Sequence, residues 1–273
     1  MVKEVKRVAA IHDMSGIGRC SLTAAIPIIS VMGVQCCPFP TAILSCQTMY
    51  PEYSFFDFTD EMIKYEKVWQ NLNAKFDCIY SGFLGSEKQI DIVLEFIDRH
   101  EESFVMIDPV MGDNRAIYKT YTDEMCSKMK KLVQKADLVT PNVTEALILT
   151  EKHLDHEVTI KEAELMAREI CELGPKLIVI TGIEQGDQIC NLAYSKNSDQ
   201  SFVIKKKYNK ESYSGTGDIF SSILCGMLLN GHSLKEAVER ASSFIYNVVN
   251  YTKSSGGNIK EGIMFEPFLK ELI

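Results

Sequence analysis

Short apolar runs, most of them rich in β-branched residues, recur along this chain, and each halts at a polar, glycine or proline set before a helix-like stretch begins. Val5 to Ile11 stops at His12-Asp13, Phe76 to Tyr80 at Ser81-Gly82, and Phe104 to Ile107 at Asp108-Pro109. A run from Asp137 ends in Thr140-Pro141-Asn142, and Leu177 to Ile180 ends in Thr181-Gly182. Strands that alternate with helices predict an α/β fold, a mostly parallel sheet covered on both faces. Ligands of such sheets sit outside the carboxyl ends of the strands, so these five endings are the first candidates for a site.

The segments between fill in the same plan. A tight turn at Gly16 and Gly18 is expected before a first helix that runs to about Met32 and is closed by Gly33, with Val34 to Phe39 as the next strand. Ala42 to Phe58, with five aromatics, reads as an irregular loop or flap with room for a short strand. Thr59 or Asp60 is expected to cap a helix to about Asn73, and Ser86 with Gln89 has the spacing of a capping box ahead of Ile90 to Ile97. Further helices are predicted over Thr122 to Lys135, Thr144 to Leu149, Thr159 to Leu173, Thr216 to about Leu229 and Ser233 to about Tyr251. Gln188 to Tyr194 and Phe202 to Lys206, separated by the turn-rich Lys196-Asn-Ser-Asp199, predict an antiparallel hairpin at a sheet edge. With no fixed-period repeat and no low-complexity linker, residues 1–273 are expected to form one domain.

Bulk properties exclude several classes of function. An apolar fraction of 46% fits a folded domain with a substantial core, and a net charge of -8 predicts no broad attraction to nucleic acid or acidic lipid. No segment approaches the roughly 18 to 20 apolar residues that span a bilayer, and the N-terminus lacks the apolar core of a signal peptide. A cytoplasmic setting is therefore expected. The nine cysteines include no C-x-x-C pair, and with the five histidines they form no zinc spacing, so most read as buried thiols.

The stretch Tyr213-Ser-Gly-Thr-Gly-Asp218 opens the predicted helix at Thr216. Free first-turn amides at Gly215, Thr216 and Gly217 can hold an anion that glycine lets approach closely. A carboxylate at Asp218 would repel a permanent phosphate ligand, but it suits a base that takes a proton from an attacking hydroxyl while the amides absorb charge on a migrating phosphoryl group. A purely local role, with Ser214 or Thr216 capping and Asp218 complementing the helix dipole, is the alternative. Neither a P-loop nor a complete dinucleotide fingerprint is present. Asp108 has an equal claim to a turn role before Pro109, and His12 reads as a packed or turn-stabilising residue.

Taken with Ile11-His-Asp-Met-Ser-Gly16, Tyr80-Ser-Gly-Phe-Leu-Gly85, Asp108-Pro-Val-Met-Gly-Asp113 and Thr140-Pro-Asn-Val-Thr-Glu145, this stretch resembles the ribokinase-like superfamily, and within it the vitamin B6 (pyridoxal or pyridoxamine) kinases. The resemblance implies a three-layer α/β/α fold with antiparallel edge strands and a small substrate-covering flap. It also implies ATP-dependent phosphorylation of a hydroxymethyl group on a heteroaromatic ring. Asp218 matches the catalytic base, and Gly215, Thr216 and Gly217 the anion hole. Asp13, with Ser15 or Gly16, would face the ring, next to the strand end at Gly82. Thr41, Ser45, Gln47, Thr48 and Met49 match the shielding flap. Asp113 and Glu145 match acidic residues around magnesium and the triphosphate, supported by Asn142. Thr181 and Gly182 match the strand end under the phosphates, and Val203 and Tyr208 are wall candidates for adenine. A homodimer is implied as well, and a monovalent cation such as K+ is allowed.

One departure bears on substrate. Asp13 stands where many B6 kinases place a serine, which keeps 4-amino-5-hydroxymethyl-2-methylpyrimidine beside pyridoxal, pyridoxine and pyridoxamine as the alcohol, with the glycine-poor first loop favouring B6. A non-catalytic vitamin sensor of the same fold would need no base at Asp218.

Overall fold

The computed structural model describes residues 5–118, 121–153 and 155–273. The chain begins with β1 (Arg7–Ile17), α1 (Ser21–Val31), β2 (Gln35–Cys46), β3 (Phe55–Asp57) and α2 (Thr59–Asn71). It continues through β4 (Cys78–Ser81), α3 (Glu87–Arg99), β5 (Phe104–Ile107) and a small ribbon of β6 (Gly112–Asp113) and β7 (Ala116–Ile117). Then come α4 (Asp123–Gln134), β8 (Leu138–Val139), α5 (Val143–Leu149) and α6 (Ile160–Leu173). The strands β9 (Leu177–Gln185), β10 (Gln188–Ser195) and β11 (Gln200–Lys207) precede α7 (Thr216–Leu229), α8 (Leu234–Ser254) and two short 3-10 turns.

Nine strands form one sheet in the order β11-β10-β9-β8-β5-β4-β1-β2-β3, parallel from β9 to β2 and antiparallel at both ends. This is the expected mostly parallel, three-layer α/β/α architecture with antiparallel edges. Side chains leave each strand alternately, and the two cores follow that period of two. Ala9 and Ile11 of β1 and Ile79 of β4 join the core under α2, α3, α4 and α6. Val8, Ala10, Cys78 and Tyr80 join the core under α1, α7 and α8.

The crossovers from β1 and β4 leave for opposite faces, α1 to one core and α3 to the other, and opposite directions along the sheet. The crevice where strand order reverses therefore lies at the carboxyl ends of β1 and β4. His12-Asp13 and Ser81-Gly82 sit there.

Several local expectations need correction. The turn expected at Gly16 and Gly18 starts only at Gly18, because β1, which slips register against β2 between His12 and Met14, carries Gly16 and runs on to Ile17. Half of the predicted flap is regular: β2 extends to Cys46, and Ala42 to Leu44 pair back with β3. Thr59 and Asp60 lie inside α2, and Asp57 accepts from the Thr59 amide at 2.7 Å. Ser86 does cap α3, but Gln89 closes no box on it. Its Oε1 accepts from the Gly85 amide, and its Nε2 donates to the Thr41 carbonyl and the Thr59 hydroxyl. Thr181-Gly182 is not a strand end, because β9 continues to Gln185 through a bulge at Gly182, where φ is +73°.

Candidate active site

At the entrance of α7 the backbone is held by contacts that only glycine permits. Gly215 has a φ of +77°, and a Cβ there would stand 2.0 Å from the Arg19 carbonyl oxygen and 2.9 Å from Cys20 Cα. That packing seats the loop before α7 against the turn before α1. Thr216 turns its hydroxyl back to the Tyr213 carbonyl at 3.2 Å, and no side chain caps the helix. A Cβ on Gly217 would meet only Asp108 Oδ2, at 4.0 Å, so the space before the first-turn amides is open. An uncapped, open helix start is what an anion requires.

Asp218 lies in that first turn. Its Oδ2 accepts from the Ser21 amide at 2.8 Å, and its side chain stays 16% exposed, enough to meet a ligand from the crevice. Burial raises its carboxyl to about 7, opposed by the Ser21 amide and assisted by the charge of Asp13. A base with that value is poised near neutral pH. Asp108 is buried close by, its Oδ2 accepting from Ser221 Oγ at 3.1 Å, and burial followed by the nearby Asp218 charge raises it to about 8. Asp108 thus belongs to the site's carboxylate group, a role its position before Pro109 did not distinguish from a turn.

The side of the crevice where the ring is expected is built by β1. Asp13 Oδ1 accepts from Ser21 Oγ at 2.5 Å and Oδ2 from Ser15 Oγ at 2.9 Å, and burial raises its carboxyl above the ordinary range. Ser21, missed in the sequence, joins Asp13 to Asp218; its only signal was a polar residue opening an apolar helix. His12 is fully buried, edge-on to Tyr80 with ring centroids 4.3 Å apart, and burial lowers it to about 3. It is neutral there, with Nδ1 3.9 Å from Asp218 Oδ1. A Cβ on Gly82 would fall 2.2 Å from His12 Nδ1, so the missing side chain makes room for His12. Gly16 similarly lets β1 approach β2, since a Cβ would stand 2.7 Å from the Ser45 carbonyl oxygen.

The flap residues divide. Thr41 is buried and donates to the Phe83 carbonyl at 3.0 Å, and Gln47 Nε2 donates to the Lys260 carbonyl at 2.7 Å while its Oε1 accepts from the Met49 amide. These bonds fix both side chains within the frame of the expected shielding flap. Ser45 accepts from the Ser54 amide at 2.9 Å, and Thr48 and Met49 are exposed on the flap.

At the end where the nucleotide is expected, Asn142 and Glu145 form a reciprocal capping box on α5, with Glu145 Oε2 accepting from the Asn142 amide at 2.8 Å. Glu145 Oε1 accepts from the Met111 amide at 3.2 Å, and Asn142 Nδ2 donates to the Gly112 carbonyl at 2.8 Å. These bonds lace α5 to the ribbon that carries Asp113. Both oxygens of Glu145 are spent on amides, and burial, then Asp108, pushes its carboxyl well above the usual range. Asp113 is exposed and accepts from Asn114. The described residues hold no group of three or more His, Cys, Asp or Glu that could bind a metal. Asp113 and Glu145 remain the acidic residues that the resemblance sets around magnesium, an ion that commonly keeps waters between itself and protein carboxylates. The bulge in β9 does bring Thr181 beside Asn142, its amide donating to the Pro141 carbonyl at 2.9 Å. Val203 packs with the core of the α2–α6 face, whereas its neighbours Phe202 and Ile204 pack with the α7–α8 core, so it is no wall on the C-terminal helices. Tyr208 is half-buried, with Lys210 over its ring.

Residues 18–262 match the family model described as phosphomethylpyrimidine kinase. A crystal structure of a candidate phosphomethylpyrimidine kinase from Bacteroides thetaiotaomicron, in a form with pyridoxal, is 40% identical, with a TM-score of 0.94 over 98% of this chain and 96% of that one. A pyridoxine/pyridoxal/pyridoxamine kinase of Bordetella avium is 27% identical over 90% of this chain and 85% of its own length. A hydroxymethylpyrimidine/phosphomethylpyrimidine kinase of Staphylococcus aureus is 29% identical over 65% of this chain and 64% of its own. The chain belongs to the phosphomethylpyrimidine kinase family, with a ribokinase-like fold.

Proposed function

We propose that this member of the family transfers the terminal phosphoryl group of ATP to the 5'-hydroxymethyl group of pyridoxal, pyridoxine or pyridoxamine. The observation that carries the reading is Asp218, a carboxylate raised to about 7 in the first turn of an uncapped helix, facing the β1–β4 crevice. In the reaction Asp218 takes the alcohol proton as the oxygen attacks the terminal phosphorus. A new O–P bond forms, the bond from that phosphorus to the bridging oxygen breaks, and ADP leaves. The amides that open α7 receive the charge on the transferred group. Magnesium bound with the nucleotide would neutralise its phosphates, with Asp113 and Glu145 as the acidic residues near it; K+ is the monovalent cation to test beside it. No proton step needs either ion.

Asp13 faces the ring. As a carboxylate already accepting from two hydroxyls, it suits a protonated ring nitrogen or an amino substituent. That preference also supports a second reading, phosphorylation of 4-amino-5-hydroxymethyl-2-methylpyrimidine, in keeping with the similar identity to the Staphylococcus aureus kinase. A vitamin sensor has no use for the base that Asp218 makes. Nine free thiols suit a reducing, cytoplasmic setting, and the exposed aromatic edge at β3 suits a homodimer.

Incubating purified protein with ATP, magnesium and each of the four alcohols, and detecting products by mass spectrometry, tests the reading. A phosphorylated B6 vitamer as the fastest product supports it. Exclusive phosphorylation of the pyrimidine replaces it with the second reading, and no product with any alcohol ends both.

A further inference from the structure

Ser21 is the first residue of α1, 6% exposed, with a φ of +47°. That left-handed backbone is uncommon for a non-glycine residue and costly unless its surroundings hold it. What holds it here is two carboxylates. The amide donates to Asp218 Oδ2 at 2.8 Å, and the hydroxyl donates to Asp13 Oδ1 at 2.5 Å. One residue thereby fixes the proposed base from α7 and the proposed ring contact from β1.

We infer that Ser21 is a positioning residue that sets the distance between base and bound ring, its amide holding Asp218 and its hydroxyl holding Asp13. The inference rests on the proposed alcohol kinase reaction. Asp218 also faces His12 and Asp13 from β1, Cys20 before α1, Tyr80 from β4, Asp108 after β5 and Tyr118 after β7. Of these groups and Ser21, only Ser21 donates a hydrogen bond to its carboxylate.

Three substitutions separate the two bonds. Ser21→Ala and Ser21→Gly keep the amide and remove the hydroxyl, so each should raise KM for the alcohol about fivefold while kcat stays within about twofold and KM for ATP is unchanged. Ser21→Gly also accommodates the positive φ, so its Tm should exceed that of Ser21→Ala by about 2 °C. Ser21→Val, whose branched side chain opposes the left-handed backbone, should swing the amide off Asp218 and lower kcat by about tenfold as well. Carbon-13 titration of the Asp218 carboxyl reads the same geometry without turnover, and its midpoint should rise in Ser21→Val and stay put in the Ala and Gly variants.

Parallel losses of kcat and KM in the Ala and Gly variants, or an Asp218 midpoint in Ser21→Val equal to that of wild type, would overturn the inference. Should wild type phosphorylate none of the four alcohols, the reaction reading fails on its own, and the carboxyl titration still decides whether Ser21 holds Asp218.

Discussion

Burial and the Ser21 amide pull the Asp218 proton in opposite directions, and burial wins, leaving the carboxyl at about 7. Because the ionised form is the proposed base, kcat/KM for the alcohol should fall about tenfold per pH unit below that value and flatten above it, as a pH–rate profile would show. Stability runs the other way. A carboxyl raised from 3.8 when unfolded to about 7 when folded contributes stability that is fully present below pH 3.8 and is lost as pH rises through 7. Asp218→Asn should therefore melt a few degrees above wild type at pH 8, with the difference vanishing toward pH 4 in a thermal denaturation series. Asp13 makes a separate prediction. Asp13→Ala should cost the four alcohols unequally, because each presents a different polar group to be left unpaired, and equal losses in kcat/KM would remove Asp13 from recognition.

Among the elements, the start of α7 depends most on one residue. Gly215→Ala forces a left-handed alanine and a Cβ 2.0 Å from the Arg19 carbonyl, so it should destabilise the protein by about 2–4 kcal/mol in chemical denaturation, more than an ordinary core change of one methyl. The sequence made this helix legible, down to its first and last residues, because glycines, an acid and an apolar run coincide there. It made the parallel order legible through repeated strand endings. What it hid were long-range effects. The slip in β1 at His12 and the bulge in β9 at Gly182 depend on which strand lies alongside, and no local pattern states that. No spacing reveals that the Glu145 oxygens accept from the Asn142 and Met111 amides. Ser21 escaped notice because its partners are 8 and 197 residues away.

At the scale of the molecule, the sheet ends in β3, a strand paired among the described residues only with β2, with Tyr53, Phe55 and Phe56 exposed by 42%, 47% and 58%. An open, aromatic edge strand invites pairing with another chain. Sedimentation should show a dimer for wild type and a shift toward monomer for Phe56→Lys, whereas monomeric wild type would assign that surface to the flap alone. None of the described helices is long and apolar enough to cross a membrane. The two cores meet across one sheet, and the crevice at β1 and β4 is where the proposed reaction would bring together an alcohol at Asp13 and a nucleotide at α7. Everything chemical in the account passes through Asp218. The direct test is single-turnover phosphorylation of the preferred alcohol by Asp218→Asn: the rate should fall at least about a hundredfold while binding of alcohol and ATP stays within about tenfold, and a rate near that of wild type would contradict the account.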